Sequence, residues 1–249
     1  MLDPPIPLDA PTIVRPPPHR RLAALAEILL CSSVPTQALI GSILQLAGWP
    51  ATDAAGRLSL PFVLTLSLAD TLVLVALMVA LTRAHGESAT ELWLGHRRVR
   101  TEIAVGVLLI PVVFMGVVVL LNTLRLVAPW LHNVPQNPLE QLAGTAADAA
   151  MFALVAIIAG GIREELQRAF LLRRFEQSLG GPTVGVVAVS VAFGLGHYTQ
   201  GWDAVVTTGT LGAFWAVVYL RRRSSVAPIV SHAGFNTLEI LRVALLGSA

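Results

Sequence analysis

No lysine occurs among the 249 residues, and all 17 basic residues are arginine. That absence reads as a compositional bias of the source and carries no chemistry. Cysteine is almost missing too. The single Cys31 excludes an intramolecular disulfide and any cysteine-based metal cluster, and its apolar surroundings mark it as a small buried hydrophobe. Charge is scarce: 13% of residues are charged, against about 25% in a soluble domain. The net charge of +2 and the lack of a basic stripe interleaved with aromatics exclude a nucleic-acid partner. What fills the chain is apolar, 55% of all residues. A soluble core cannot hide that much hydrocarbon, so the expected fold is all-α, a polytopic membrane helix bundle of about seven (six to eight) transmembrane helices.

Residues 1–20 form no cleavable secretion signal. Seven prolines fall within the first 19 positions, with no apolar core before a small-residue cleavage site; a disordered cytoplasmic tail is expected there. The bundle then occupies 21–249. Seven stretches approach the roughly 20 residues needed to span: Leu22–Leu46, Leu60–Leu81, Ile103–Val127, Thr145–Arg168, the shorter Thr183–His197, Asp203–Leu220 and Val226–Leu246. Pro35 and Pro111 lie inside the first and third, where kinks are tolerated. Arginines sort by connection. Arg15, Arg20 and Arg21 precede the first span; Arg83, Arg97, Arg98 and Arg100 follow the second; Arg173 and Arg174 follow the fourth; Arg221–Arg223 follow the sixth. The alternate connections carry only Arg57. The positive-inside rule therefore places the N-terminus on the cytoplasmic side of a multi-pass membrane protein. Glu87–Arg100 reads as a short interfacial helix capped by Ser88 or Thr90, and Trp49, Trp93, Trp130 and Trp202 as interfacial anchors near span ends.

Within the apolar stretches sit three polar clusters: Glu164-Glu165 with Arg168, Phe193 with His197, and His232 with Asn236. Ionisable groups in hydrocarbon cost free energy unless they face a cavity or a partner, so such groups point to a functional site. Glu164 or Glu165 can meet Arg168 on one helix face, four or three residues away. The turn at Ser178–Thr183, with Gly180, Gly181 and Pro182, ends one helix and starts the next. Glu164 lies about 16 residues before its centre and His197 about 17 after it, so an antiparallel hairpin makes them level, about 20 Å from the turn. Gly160, Gly161, Gly194, Gly196 and Gly234 permit close helix approach. A carboxylate base, an imidazole and donors of imidazolium or amide type would then surround one small space. Glu27, Asp70 and Asp148 are expected to make interhelical pairs, with arginines such as Arg242.

The ordered trio of clusters resembles the signature of the CPBP family, the CAAX-protease and bacteriocin-processing membrane proteins, over roughly residues 145–240. That signature is Glu-Glu-x-x-x-Arg, then Phe-x-x-x-His, then His-x-x-x-Asn. Phe193/His197 and His232/Asn236 match it; Glu164-Glu165-Leu166-Gln167-Arg168 has one residue fewer before its arginine. Aligned on the glutamates, Glu164 is the base. Aligned on the arginine, Glu164 partners Arg168, and Glu165 must supply the carboxylate or activity is absent. The level pairing with His197 favours Glu164.

The resemblance implies an intramembrane endopeptidase acting on a membrane-associated or lipid-modified protein or peptide, in contact with membrane lipid. Glu164 with His197 would activate water, His232 and Asn236 would stabilise the oxyanion, and Arg168 would hold a glutamate. His197, His232 and Glu164 also form the donor set of a catalytic zinc with one open position. No His-Glu-x-x-His helix is present, so a glutamate-dependent hydrolase without metal is the alternative. The shortened first motif admits a second class of function, a catalytically inactive scaffold or bacteriocin-immunity-like protein of the same fold. A transporter is disfavoured by the lack of internal repeats.

Overall fold

A computed structural model describes residues 17–247. Most of the expected tail, 1–20, falls outside that range, but Pro18–Arg20 already belong to the first helix. Ten α-helices follow: α1 Pro18–Leu30, α2 Val34–Leu46, α3 Leu60–Ala84, α4 Ala89–Leu94, α5 Val99–Val127, α6 Ala146–Val155, α7 Glu164–Ser178, α8 Pro182–Leu195, α9 Trp202–Arg222 and α10 Val226–Leu246. A π-helical segment, Ala156–Arg163, joins α6 to α7 without interruption. Among the described residues the sole β feature is an isolated bridge between Thr52 and Leu58.

Among the described residues six segments are long and apolar enough to cross a membrane: Pro18–Leu46, Leu60–Ala84, Val99–Val127, Ala146–Ser178, Trp202–Arg222 and Val226–Leu246. The remaining expected span is the shorter apolar helix α8. The protein is thus an all-α, multi-pass membrane bundle. The fourth span runs ten residues beyond its expected end at Arg168, to Ser178. The first is broken: Ser33 adopts the left-handed conformation (φ 69°), and Pro35 stands in the opening turn of α2 instead of kinking one continuous helix. A proline there is compatible with helix initiation, since its missing N–H has no intrahelical role. Pro111, by contrast, is accommodated inside an unbroken α5.

A tight turn joins α7 to α8, two of the helices that carry candidate site residues. Gly180 and Gly181 have φ of 98° and 91°, conformations open to glycine, and Pro182 starts α8. The surface helix α4 is shorter than expected, and Ser88 caps it by accepting a hydrogen bond from the Glu91 amide. Trp93 is no interfacial anchor. It is buried, and its indole N–H donates to the Leu166 carbonyl (3.1 Å), tying α4 to the helix that carries the glutamates. Trp49, Trp130 and Trp202 are exposed, as anchors require. One apolar core, including Leu74, Met78, Trp93, Phe170, Leu172 and Tyr219, packs α3, α4, α7 and α9 together. A second joins Val113 and Val117 of α5 to Leu211 and Trp215 of α9.

Candidate active site

The π-helical segment and α10 carry the close approach that assembles the site. A Cβ on Gly161 would lie 2.6 Å from the Ala233 Cβ, and one on Gly160 would meet the Asn236 amide nitrogen. Only residues without side chains let the two helices pack there. Gly194 likewise seats α8 against the Val205 carbonyl and Gly209 of α9, and Gly234 sits against Ile110. Gly196 touches only its own turn.

Arg168, Glu165 and His232 form a buried chain of charge-assisted hydrogen bonds. An Arg168 Nη1–H donates to Glu165 Oε1, and the same oxygen accepts from His232 Nδ1–H at 2.8 Å. The three residues are 2%, 2% and 5% exposed. Because an ionised carboxylate only accepts, the His232 Nδ1 carries a proton and its Nε2 is left for the cavity. Aromatic rings hold the group in place: the Trp215 indole stacks on the imidazole at 3.9 Å, and the Arg168 guanidinium lies 4.7 Å above Phe193.

Glu164 stands outside this chain of bonds and has its own partner. Its carboxylate accepts from Arg163 (3.2 Å), which also bonds the Ser33 hydroxyl (2.6 Å) and lies 3.6 Å from Asp70. The α1–α2 break therefore has a function in the fold: Ser33 and the Cys31 carbonyl receive Arg163 and Gln167. Asp70 does make an interhelical pair, with Arg163 and not with Arg242; Glu27 pairs with Arg174 and His85; Asp148 caps α6 with Thr145. Arg242 takes Glu140 and Glu239.

A cavity of about 620 Å³ is lined by Glu164, His197, His232 and Asn236, four of the six candidate residues, together with Phe193 and Trp215. Glu165 and Arg168 lie behind it. Glu164 and His197, expected to lie level, both line this cavity. His197 donates Nδ1–H to the Phe193 carbonyl (2.9 Å), which can only accept, so in the neutral form of the ring the lone pair is on Nε2. Phe193 joins the two imidazoles, its ring centroid 4.9 Å from His197 and 6.2 Å from His232. Asn236 Nδ2 lies 3.5 Å from the Ala156 carbonyl at the head of the π-helical segment.

Among the described residues no three His, Cys, Asp or Glu side chains converge in a group that could hold a metal ion. His197, His232 and Glu164 share the cavity without forming such a set, and His232 already commits Nδ1 to Glu165. Sequence reasoning missed three contributors: Trp215, Arg163 as the partner of Glu164, and a His132–Asp203 pair (2.7 Å) at the far end of the cavity.

Residues 146–238 match the family model described as Type II CAAX prenyl endopeptidase Rce1-like. All three clusters lie in that segment, which makes up well under half of the chain. No curated protein and no solved structure matches.

Proposed function

We propose that the protein, whose residues 146–238 match the Rce1-like CAAX prenyl endopeptidase family model, is an intramembrane endopeptidase of a bacterial inner membrane. It hydrolyses a peptide bond in a membrane-associated or lipid-modified polypeptide. The observation that carries this reading is the buried Arg168–Glu165–His232 chain standing behind a cavity that Glu164, His197 and Asn236 also line.

In this mechanism Glu164 takes a proton from a water whose other hydrogen is held by the His197 Nε2 lone pair. The resulting hydroxide forms a bond to the scissile carbonyl carbon. Negative charge moves to the carbonyl oxygen, where His232 Nε2–H and an Asn236 N–H donate to it. Glu165, buried and ionised beside Arg168, stabilises the imidazolium that this donation requires. Collapse of the tetrahedral intermediate breaks the C–N bond, and the leaving amine takes the proton from Glu164. Glu165 is thereby a positioning residue and Glu164 the base. The shortened first motif fits this division: an arginine three residues after Glu165 still reaches its carboxylate.

The test is cleavage of membrane-embedded peptides, with and without a prenyl group, by purified protein. Glu164→Gln, His197→Ala and His232→Ala are expected to lower kcat by about 10² or more, the usual worth of a positioned acid–base group. Glu165→Gln should lower kcat with KM little changed. Chelation and metal readdition on the same preparation separate a metal-assisted hydrolase from a glutamate-only one. Undiminished cleavage in all four variants would remove the mechanism, and cleavage by none of the proteins, wild type included, would favour the inactive scaffold.

A further inference from the structure

The cavity occupies one half of the bundle only. Its floor is Glu164, Trp215 and His232; from there it runs between the later turns of α5 and α10, past the first half of α9, to the 128–145 connection. No residue of 68–113, 165–192 or 216–231 lines it. Towards the other end the space is filled. Met78, Trp93, Phe170, Leu172 and Tyr219 are buried there in one apolar core. Beyond that core Glu87 bridges Arg173 and Arg174, and the Tyr219 hydroxyl closes on the Leu92 carbonyl. A peptide cannot reach the catalytic layer through that plug without unpacking it.

The open end has the character of a wetted mouth. His132 pairs with Asp203, Asn137 donates to Gln200 (3.1 Å), and Arg125 is exposed on the last turn of α5. Arginines divide the other way. They crowd the plugged end, at 83–100, 173–174 and 221–223, whereas the mouth end holds Arg57, Arg125 and Arg242. Arg57 and Arg242 are paired to acidic residues. Acidic neighbours at the plugged end do not cancel the signal, because orientation follows arginine and lysine and not net charge.

We infer that the site takes its substrate from the non-cytoplasmic face of the membrane. The plugged, arginine-rich end is cytoplasmic and the mouth lies across the bilayer. The substrate class is then a polypeptide whose scissile bond has already been moved out of the cytoplasm, such as a translocated membrane-anchored peptide, and not a tail kept in the cytosol. A translocation step must precede cleavage, and the products leave on the outer side. The identity of the ligand as a substrate rests on the peptidase reading above; the face of access does not.

Cysteine labelling tests this without requiring activity. Cys31 is the chain's sole cysteine and is buried, so Cys31→Ala gives a silent background. Into it are placed Gln200→Cys at the mouth and Thr208→Cys inside the cavity, with Ala54→Cys and Thr90→Cys as exposed controls at the two ends. A membrane-impermeant thiol reagent applied to spheroplasts should modify Gln200→Cys, Thr208→Cys and Ala54→Cys and spare Thr90→Cys; inverted vesicles should reverse the pattern. Modification of the cavity positions together with Thr90→Cys overturns the inference. So does their protection from both sides while the two controls react. Labelling as expected in a protein that cleaves nothing would leave the access face standing and remove the peptidase reading.

Discussion

Arg168 is a cation enclosed by protein, with Glu165 as its one acidic partner and the faces of Phe193 and Trp215 within 4.7 and 5.7 Å. Removing one member of a buried pair strands the other, at about 3–5 kcal/mol. Arg168→Met should therefore destabilise the detergent-solubilised protein on that scale. Adding Glu165→Gln removes the stranded charge and should restore most of the stability while restoring no cleavage, because His232 still lacks its carboxylate. Thermal unfolding read beside peptide cleavage checks both halves; an Arg168→Met protein as stable as wild type would mean that the pair holds nothing. Spacing along the chain predicts a glutamate–arginine pair but allows either carboxylate, since separations of three and four both bring side chains together. The choice is made by distant groups: His232 of α10 takes Glu165, and Arg163, itself held by Ser33 and Asp70, takes Glu164. No local pattern encodes that. Trp215 did leave a trace, as the one tryptophan well inside an expected span and away from its ends.

At the scale of elements, the decisive piece is the π-helical segment Ala156–Arg163. A π-turn carries an extra residue, so it rotates everything before it relative to the glutamates after it and loosens the carbonyl ladder. The Ala156 carbonyl faces Asn236, and Gly160 and Gly161 give α10 its seat. Apolar composition alone reads through this stretch as ordinary helix, because nothing in hydropathy distinguishes a π-turn from an α-turn. The glycine pair was the legible part, and the expectation that it permits close approach holds. Gly161→Ala places a Cβ 2.6 Å from the Ala233 Cβ and 3.0 Å from its backbone Cα. Helix α10 must then retreat, and His232 and Asn236 with it. A misplacement of about 1 Å is enough to cost on the order of 10² in rate, so Gly161→Ala is expected to lose cleavage by that factor while still folding. Adding Ala233→Gly removes the nearer clash but leaves the new methyl pressed against the α10 backbone, so recovery should be partial. Full activity in Gly161→Ala would mean that the α10 seat does not set the geometry of the site.

For the whole molecule, the multi-pass helical bundle was open to reading because hydrocarbon demands long apolar helices. How the arginine-rich end is closed was not, since closure depends on pairs between residues far apart in the chain. Glu27 binds Arg174 and His85, Glu87 binds Arg173 and Arg174, and Glu176 takes Arg223 through two bonds at 2.9 and 2.7 Å. These pairs join α1, the α3–α4 connection, α7 and the turn before α10 into one collar. Partial burial pushes the Glu87 carboxyl upward, but hydrogen bonds from Arg174 and Arg173 outweigh it and hold the group below its ordinary 4.5. A carboxyl whose folded-state value is depressed binds more protons when unfolded across that interval, so stability rises with pH through it. Its contribution is complete above about 4.5 and is lost as pH falls through the depressed value. Thermal unfolding in detergent is therefore expected to be flat in this respect from neutral pH down to about 5 and to decline below that. Glu87→Gln should lower the neutral plateau and flatten the acid decline, because an amide neither titrates nor answers both guanidinium groups. An acid decline of unchanged steepness in Glu87→Gln would assign it to other carboxylates, and the collar would then not depend on Glu87.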